Sequence, residues 1–414
     1  MELTTATPIF PVFLIGVSII LALLAKIAFK KFKIPDVLVL ILFGILLKLL
    51  GLAGNIDRES GFLKVLVTLA LLYVVFAGAL PIRIKALFSS AQWAFLSALM
   101  NFTVITFIIG VISFLAGFGL GESIALGMLM CVMDGSVINS ILESVKFSKL
   151  GEAFVQFESA IIDIFVIVGI VAMLNLKELS LQALSQQFVN FILLSSAIGI
   201  TLGIIWGLLL KRFSWMEHLS LTTMAILLLV YSFAEYFQSN GVIAVFFFAI
   251  TLSNIKELSH IFYKKQADKV TTITRDQRVF FSDLSFLLRG LLFVFMGTLI
   301  SFQHPWYIML GALLTLVAYI ARSLLFGVVA KGNIEEKEMS MIEVMAVKGL
   351  TPVVLLSLMN NSESFTNVVL GSILFSVMLT SLLIALINKG WFVSFRNELN
   401  KLLLLAFKHR RNHL

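Results

Sequence analysis

Two carboxylates interrupt one apolar stretch of the sequence. Residues 157–174 read FESAIIDIFVIVGIVAML and contain Glu158 and Asp163. A charge at the centre of a bilayer costs about 2.5–3.5 kcal/mol even on the most lenient scales, so such groups indicate either function or a buried ion pair. At about 100° per residue, Ser159 and Asp163 share one helix face, whereas Glu158 and Asp163 point about 140° apart. The two acids are therefore expected to have different roles.

A third carboxylate lies in the preceding apolar stretch, GESIALGMLMCVMDGSVINSILESV, whose middle is Asp134, Gly135 and Ser136. Glycine is conformationally permissive, and Asp and Ser side chains compete for backbone hydrogen bonds, so we expect the helix to break here. Broken backbone at membrane depth is tolerated only where protein or a water-filled cavity surrounds it. Asp134, Ser159 and Asp163 would then offer hard oxygen ligands to a small cation such as Na⁺.

A similar interruption is expected in EVMAVKGLTPVVLLSLM, at Lys348, Gly349, Thr351 and Pro352. Proline removes an amide donor and glycine loosens the turn. Lys348 would either bring positive charge near the ion site or serve a local structural purpose.

Arg322, in YIARSLLFGVV, is the candidate partner of Glu158. An arginine is always charged and can bind a carboxylate through two parallel hydrogen bonds, which would keep the acid ionised and rigid. The remaining intramembrane charges are Glu235, Asp283, Arg289 and Glu343. Asp283 and Arg289 are expected to pair with other helices, with a transport role as the alternative, and Glu343 flanks the second interruption.

The elements that carry these groups follow from composition. The chain is 60% hydrophobic and 13% charged, with a mean hydropathy of +1.04; globular proteins average about 45–50% apolar and about 25% charged. An all-α integral membrane protein is therefore predicted, with about thirteen transmembrane helices of roughly 20 residues each. The predicted spans are 7–29, 34–52, 63–80, 91–116, 123–143, 152–174, 187–210, 218–236, 240–254, 280–302, 305–329, 338–358 and 364–388.

Basic residues alternate between the predicted loops, which sets an orientation. Most of the 31 Lys and Arg fall in loops on one side, and such loops stay cytoplasmic. The N-terminus is predicted outside and the C-terminus inside, in a prokaryotic inner membrane. Residues 389–414 are predicted to form a basic amphipathic tail on the inner leaflet. Membrane lipid therefore accounts for the net charge of +8, and no nucleic-acid partner is expected.

The two interruptions fall in spans 5 and 12, seven spans apart. That spacing matches an inverted repeat whose broken helices cross at a substrate site; two unrelated kinks are the alternative. No intramembrane protease pattern is present, so an enzyme is not expected, and no cofactor is implied. A channel would favour repeated pore rings over one asymmetric pair of broken helices.

Several segments together resemble a family. FESAIID is similar to the E-S-L-L-N-D pattern, and VMDGSV to the T-D-P-x-x-V break, of the sodium/proton exchanger branch of the monovalent cation/proton antiporter superfamily. Further similar segments, in family order, are KIPDVLVLILFGILL, LLYVVFAGALPIRIKAL, GVIAVFFFAITLSN, ARSLLFGV and VKGLTPVVLLSL.

The resemblance implies a homodimer in which an ion-carrying core moves against a dimerisation scaffold. It divides the chain into 1–116 (scaffold spans 1–3 and core span 4), 117–174 (core spans 5–6 with the ion site), 175–212 (linker span 7), 213–302 (scaffold spans 8–10), 303–388 (core spans 11–13) and the tail 389–414.

The resemblance also implies residue roles. Asp163 matches the essential ion- and proton-binding carboxylate, with Asp134 and Ser159 beside it, while Glu158 and Arg322 match a structural ion pair. The chain departs from the pattern at Ile162, where the family has Asn. The implied activity is exchange of a monovalent cation, Na⁺ or Li⁺, for H⁺, electroneutral at 1:1. A K⁺/H⁺ antiporter and a transport-deficient sensor or scaffold stay open as alternatives.

Overall fold

The structure is a computed structural model, and every regular element in its described part is an α-helix. The described residues are 16–25, 27, 36–51, 61–82, 84–135, 138, 142, 147–175, 181–213, 215, 217–262, 273–329, 336–359 and 362–388. The predicted tail 389–414 and Ser136 lie outside these ranges. The all-α membrane class predicted from composition is confirmed.

The helices are numbered here in chain order. They are α1 (Gly16–Ala25), α2 (Asp36–Leu49), α3 (Gly61–Ala79), α4 (Ile84–Leu115), α5 (Leu120–Cys131), α6 (Lys149–Asn175), α7 (Leu181–Arg212), α8 (Leu219–Tyr236), α9 (Gly241–Ser253), α10 (Ile255–Phe262), α11 (Arg275–Leu299), α12 (Pro305–Val329), α13 (Glu336–Val344), α14 (Leu350–Leu358) and α15 (Glu363–Asn388).

Seven helices of the described part are long and apolar enough to cross a membrane, and five more are apolar but shorter. Each predicted span corresponds to one helix or, for span 12, to the pair α13 and α14. The number of crossings and the inverted repeat stay predictions. Burial differs among the long helices: 61% of the apolar window of α6 is buried, against 22% for α8. The helix that carries Glu158 and Asp163 is therefore central, and α8 is peripheral.

The helices pack in two groups. In the first group, α4 packs on α5, α6 and α12, while α15 packs on α12 and α13. In the second, α11 packs on α2 and α3, and α9 packs on α3, α7 and α8. Helix α14 touches both groups, because it contacts α3 and α11 as well as α6 and α15. The assignment of these groups to a moving core and a fixed scaffold stays a prediction.

Helices α2 and α11 approach closely because each has a glycine at their crossing. A Cβ atom on Gly44 would lie 2.0 Å from the carbonyl oxygen of Val294, and one on Gly297 would lie 2.2 Å from that of Ile41. Small residues at such crossings let two backbones touch, which is how membrane helices gain packing energy without a hydrophobic effect between them.

Local sequence sets several helix starts. Thr274 and Gln277 form a capping box at the start of α11, and the side chain of Asn240 accepts from the amide of Ile243 at the start of α9. Such side chains satisfy amides that have no partner within the helix.

Two of the predicted spans contain a non-helical segment, as the sequence predicts. Helix α5 ends at Cys131, and residues 132–134 are not helical; α13 ends at Val344, and residues 345–349 separate it from α14. Asp134 lies in the first interruption, but Gly135, which the sequence predicts to be part of it, is helical. Lys348 and Gly349 lie in the second interruption. Thr351 and Pro352 instead lie in the first turn of α14. Proline fits there because an amide in the first turn has no partner within the helix to lose.

Candidate ion-binding site

The two interruptions touch through their backbones. The amide of Asp134 donates a hydrogen bond of 2.7 Å to the carbonyl oxygen of Val347. Backbone groups released by a broken helix need partners inside a membrane, where no water supplies them. Each interruption thus satisfies part of the other, and the crossing predicted from spacing alone is a direct contact.

The Asp134 carboxylate lies at the start of α14. Its Oδ2 accepts from the amide of Leu350 at 2.7 Å, and the residue is 3% exposed. A helix N-terminus carries partial positive charge and free amides, so it stabilises a carboxylate there. A Cβ atom on Gly349 would lie 1.8 Å from the same oxygen. Position 349 therefore has room only for glycine while Asp134 caps α14.

Ser159 and Asp163 face this crossing from α6. The Ser159 hydroxyl oxygen would lie 3.3 Å from a Cβ atom on Gly135, and it donates to the Gln156 carbonyl at 3.4 Å. Asp134 and the Thr351 hydroxyl act electrostatically on the Asp163 carboxyl. The Asp163 Oδ1 atom is buried and has no hydrogen-bond partner among the described residues. The structure thus brings Asp134, Ser159 and Asp163 to one place, and adds Thr351.

Glu158 lies in a different environment one turn earlier. Arg322 of α12 holds it through two parallel bonds, Nη1 to Oε1 at 2.9 Å and Nη2 to Oε2 at 2.6 Å. Both side chains are almost completely buried, at 0% and 1% exposure. Ser97 and Asn101 of α4 also donate to Oε1, at 2.6 and 2.8 Å. A buried ion pair is sustainable only when its remaining polar atoms are satisfied in this way.

Arg322 also holds the end of α13. Its Nε donates to the Glu343 carbonyl at 3.1 Å, and its Nη2 donates to the Ile342 carbonyl at 3.3 Å. The last carbonyls of a helix have no partner within it and carry partial negative charge. The two helix ends that border the second interruption therefore each face a side chain of opposite charge. Arg322 lies at the negative end of α13, and Asp134 lies at the positive start of α14.

Lys348 is completely buried within the second interruption. Its amide donates to the Ser376 hydroxyl at 3.0 Å, and its Nζ donates to the Ala346 carbonyl at 3.4 Å. The Nζ atom also lies 5.6 Å from the centre of the Tyr319 ring, a favourable place for a cation. Its charge acts on Cys131, the last residue of α5. These contacts hold Lys348 against Tyr319 of α12 and Ser376 of α15.

The other membrane charges lie elsewhere. Glu235 accepts from the Gly241 amide at 2.8 Å, at the start of α9. Asp283 is exposed on α11, and Arg289 lies over the Phe286 ring at 5.8 Å. Glu343 accepts a hydrogen bond from the Ser323 hydroxyl.

Sequence reasoning missed four polar residues that the structure uses. Ser97 and Asn101 lie four residues apart in an otherwise apolar span, and that spacing was a usable signal because it puts both on one helix face. Glu338, at the start of α13, accepts from the Ser148 amide at 2.9 Å and from its hydroxyl at 2.8 Å, before α6 begins. No local pattern pairs those two residues, which lie 190 positions apart.

The donor set bears on the kind of ion. No group of three or more His, Cys, Asp or Glu within the described ranges is placed to hold a metal ion. The groups that meet at the crossing are two carboxylates and two hydroxyls. Such oxygen donors suit hard cations, whereas imidazole and thiolate suit transition metals.

The fold and the crossing define a class: an all-α integral membrane protein in which two interrupted helices meet through their backbones beside buried carboxylates. A family model described as the transmembrane sodium/hydrogen exchanger matches residues 19–393. The chain belongs to the sodium/hydrogen exchanger family, which confirms the resemblance stated above. The family is one of transporters, and membership supports cation/proton exchange.

Individual relatives are distant. The chain is 24% identical over 308 residues to the "Probable Na(+)/H(+) antiporter 2" of Methanocaldococcus jannaschii, covering 68% of this chain and 67% of that protein. The structure is similar to that of the sodium proton antiporter MjNhaP1 from the same organism at pH 8, with a TM-score of 0.74, 18% identity and coverage of 90% and 96% of the two chains. An electron-microscopy structure of MjNhaP1 gives a TM-score of 0.72 at 19% identity, with 92% and 97% covered. At this identity the structural likeness concerns the fold alone.

Proposed function

We propose that this protein exchanges Na⁺ for H⁺ by alternating access, and that Asp163 carries both ions in turn. The observation that carries the proposal is the buried Asp163 Oδ1 atom, which has no hydrogen-bond partner within the described residues. An ionised carboxylate in apolar surroundings is costly unless a positive charge compensates it. A proton or a desolvated cation would each supply that charge, so the two would compete for one group.

Asp134 would act as the fixed member of the pair. Its Oδ2 is committed to the Leu350 amide, where the helix N-terminus favours the ionised form. The Asp134 carboxylate and the Ser159 hydroxyl would both supply oxygen atoms to the cation. A second negative charge close to Asp163 would strengthen the attraction for either ion.

Competition for one carboxylate makes exchange obligatory if the site crosses only when neutralised. One Na⁺ would move against one H⁺, so the cycle would be electroneutral. Residue 162 is Ile, completely buried in the apolar core, and it cannot carry a second proton. A current in vesicles with balanced ion and pH gradients would contradict this stoichiometry.

The Glu158–Arg322 pair would keep the site rigid. It joins α6 to α12 and, through the Ile342 and Glu343 carbonyls, to the end of α13. Alternating access would then move the group of α4, α5, α6, α12 and α15 against the group of α2, α3, α9 and α11, with α14 at the boundary. A homodimer in a prokaryotic inner membrane, with the N-terminus outside, completes the proposal.

The test is proton movement in sealed vesicles that contain the purified protein and a trapped pH dye. Na⁺, Li⁺, K⁺ or choline is added outside at several pH values. Asp163→Asn is the inactive variant, and Asp283→Asn is the matched control, because Asp283 is an exposed carboxylate on α11. A Na⁺-dependent pH change that is lost only in Asp163→Asn is expected. A response to K⁺ alone would favour the K⁺/H⁺ alternative, and no response from folded protein would favour the transport-deficient one.

A further inference from the structure

The Asp163 site is lined from three segments, and one of them supplies a group that sequence reasoning treated only as part of a helix break. Asp134 comes from the interruption after α5, and Ser159 and Asp163 come from α6. Thr351 comes from the first turn of α14, where it is 6% exposed. Its hydroxyl is close enough to the Asp163 carboxyl to act on it electrostatically, and α14 packs on α6, the helix of Asp163.

The position of Thr351 is fixed by its neighbours. The preceding residue, Leu350, donates its amide to Asp134 Oδ2 at 2.7 Å. Gly349, before that, packs so closely on Asp134 that a Cβ atom would overlap the carboxylate. Pro352 follows and restricts its own φ angle and the backbone of the residue before it. The backbone position of Thr351 is therefore set by the two preceding residues, which pack on the Asp134 carboxylate.

The residue beside Asp163 on its own helix offers nothing to an ion. Ile162 is completely buried among apolar side chains. Asp163 Oδ1 lacks a partner in the described part of the chain, so besides Ser159 on the same helix, the oxygen atoms that complete a cation's shell would come from other segments. A threonine oxygen is a neutral donor and adds a ligand without adding a third negative charge.

We propose that Thr351 is a direct ligand of the transported cation, and that it sets how tightly and how selectively the cation binds at Asp163. The inference rests on the proposed exchange at that carboxylate. It also links occupancy to motion, because the ligand belongs to α14, which contacts both helix groups. Selectivity among monovalent cations depends on the number of coordinating dipoles and the size of the cage, so removing one oxygen should weaken Na⁺ binding more than K⁺ binding.

The test compares Thr351→Val, which keeps the shape and removes the oxygen, with Thr351→Ser, which keeps the oxygen. Thr315→Val is the matched control: Thr315 is a buried threonine of α12 whose hydroxyl bonds the Gly311 carbonyl of its own helix at 2.9 Å. The half-saturating Na⁺ and K⁺ concentrations and the maximal rate are measured in the dye-loaded vesicles at one pH.

We expect Thr351→Val to raise the half-saturating Na⁺ concentration about tenfold, the size of one lost contact to a charged group. The maximal rate should change little, and the preference for Na⁺ over K⁺ should fall. Thr351→Ser should bind Na⁺ much as the unchanged chain does, and so should Thr315→Val. An unchanged half-saturating concentration in Thr351→Val, or an equal change in Thr315→Val, would overturn the proposal.

Two further measurements separate this proposal from failure of folding or of transport. If Thr351→Val is not monodisperse after purification, Thr351→Ala replaces it, and equal Na⁺ affinities of the Ala and Ser variants overturn the inference. If the unchanged chain transports nothing, Na⁺-dependent thermal stabilisation of the detergent-purified protein reports binding directly. If Na⁺ stabilises the unchanged chain but not Thr351→Val, Thr351 is supported as a ligand even when exchange fails. If Na⁺ does not stabilise the unchanged chain, both proposals are overturned.

Discussion

Glu158 and Asp163 are two buried carboxylates on the same helix, five positions apart, and their surroundings are opposite. Arg322, Ser97 and Asn101 together satisfy both oxygens of Glu158. Asp163 has one oxygen without a hydrogen-bond partner in the described residues. A charge that is balanced inside the protein is permanent and structural. A charge that is left unbalanced needs a mobile ion, and that need is the physical basis of the proposed exchange.

The contrast follows from helix geometry. Positions five apart on an α-helix point about 140° away from each other, so the two acids face different neighbours. Glu158 faces α4 and α12, while Asp163 faces the interruption after α5 and the start of α14. The interrupted span connects the two regions, because Arg322 holds the end of α13 and Asp134 holds the start of α14.

The largest effect on stability is expected from breaking the satisfied pair. Arg322→Met leaves Glu158 buried without its counter-charge, which should cost about 3–5 kcal/mol. We expect a large fall in the thermal unfolding midpoint in detergent and loss of exchange. The double variant Glu158→Leu, Arg322→Met removes both charges and should be less destabilised than Arg322→Met alone. A double variant that is more destabilised than the single one would contradict this account of the pair.

A smaller effect is expected from the donors on α4. Asn101→Ala removes the 2.8 Å hydrogen bond to Glu158 Oε1, and a hydrogen bond to a charged group contributes about 1.5–3 kcal/mol. The unfolding midpoint should fall, while the half-saturating Na⁺ concentration should stay constant. The control is Thr103→Ala on the same helix, where an exposed hydroxyl bonds only its own helix. Equal midpoints for the two variants would mean that Asn101 does not support the pair.

The crossing itself is tested at Gly349. Gly349→Ala would bring a Cβ atom to 1.8 Å from Asp134 Oδ2, and forced overpacking costs about 1–3 kcal/mol. Because the same clash displaces Asp134, exchange should fall together with stability. Gly78→Ala on α3 is the control, since nothing lies within 4 Å of the added atom, and it should be neutral or stabilising. If Gly349→Ala is as stable and as active as Gly78→Ala, Gly349 and Asp134 are not in close contact.

The smallest stability effect should accompany the largest functional one. Asp163→Asn removes a charge that has no balancing partner, so we expect the unfolding midpoint to stay unchanged or to rise, while exchange is lost. The matched change Glu158→Gln should lower the midpoint, because it removes the charge that balances Arg322. This opposite response of two amide substitutions on one helix is the sharpest test of the comparison. Equal falls in midpoint would show that both acids are structural.

Much of the site could be predicted from local sequence. The positions of Asp134, Glu158 and Asp163 in apolar runs identified the costly groups, and the helical period separated the faces of the two acids on α6. The interruptions were placed only in part: Asp134, Lys348 and Gly349 lie in non-helical segments, whereas Gly135 is helical and Thr351 and Pro352 lie in the first turn of α14. That error is understandable, because a proline can end a helix or begin one, and only the backbone before it decides which.

Apart from the Glu158–Arg322 pair, contacts between distant segments were not predictable in the same way. Ser97 and Asn101 reach Glu158 across more than 50 positions, at separations of 61 and 57 residues, and Asp134 binds the Leu350 amide at the start of α14 across 216 positions. The period of a helix and the cost of a buried charge are local properties, so the sequence by itself determined which residues had to be balanced. Which of them were balanced was decided by tertiary structure, because the packing of α4, α12 and α14 sets which donors reach each carboxylate.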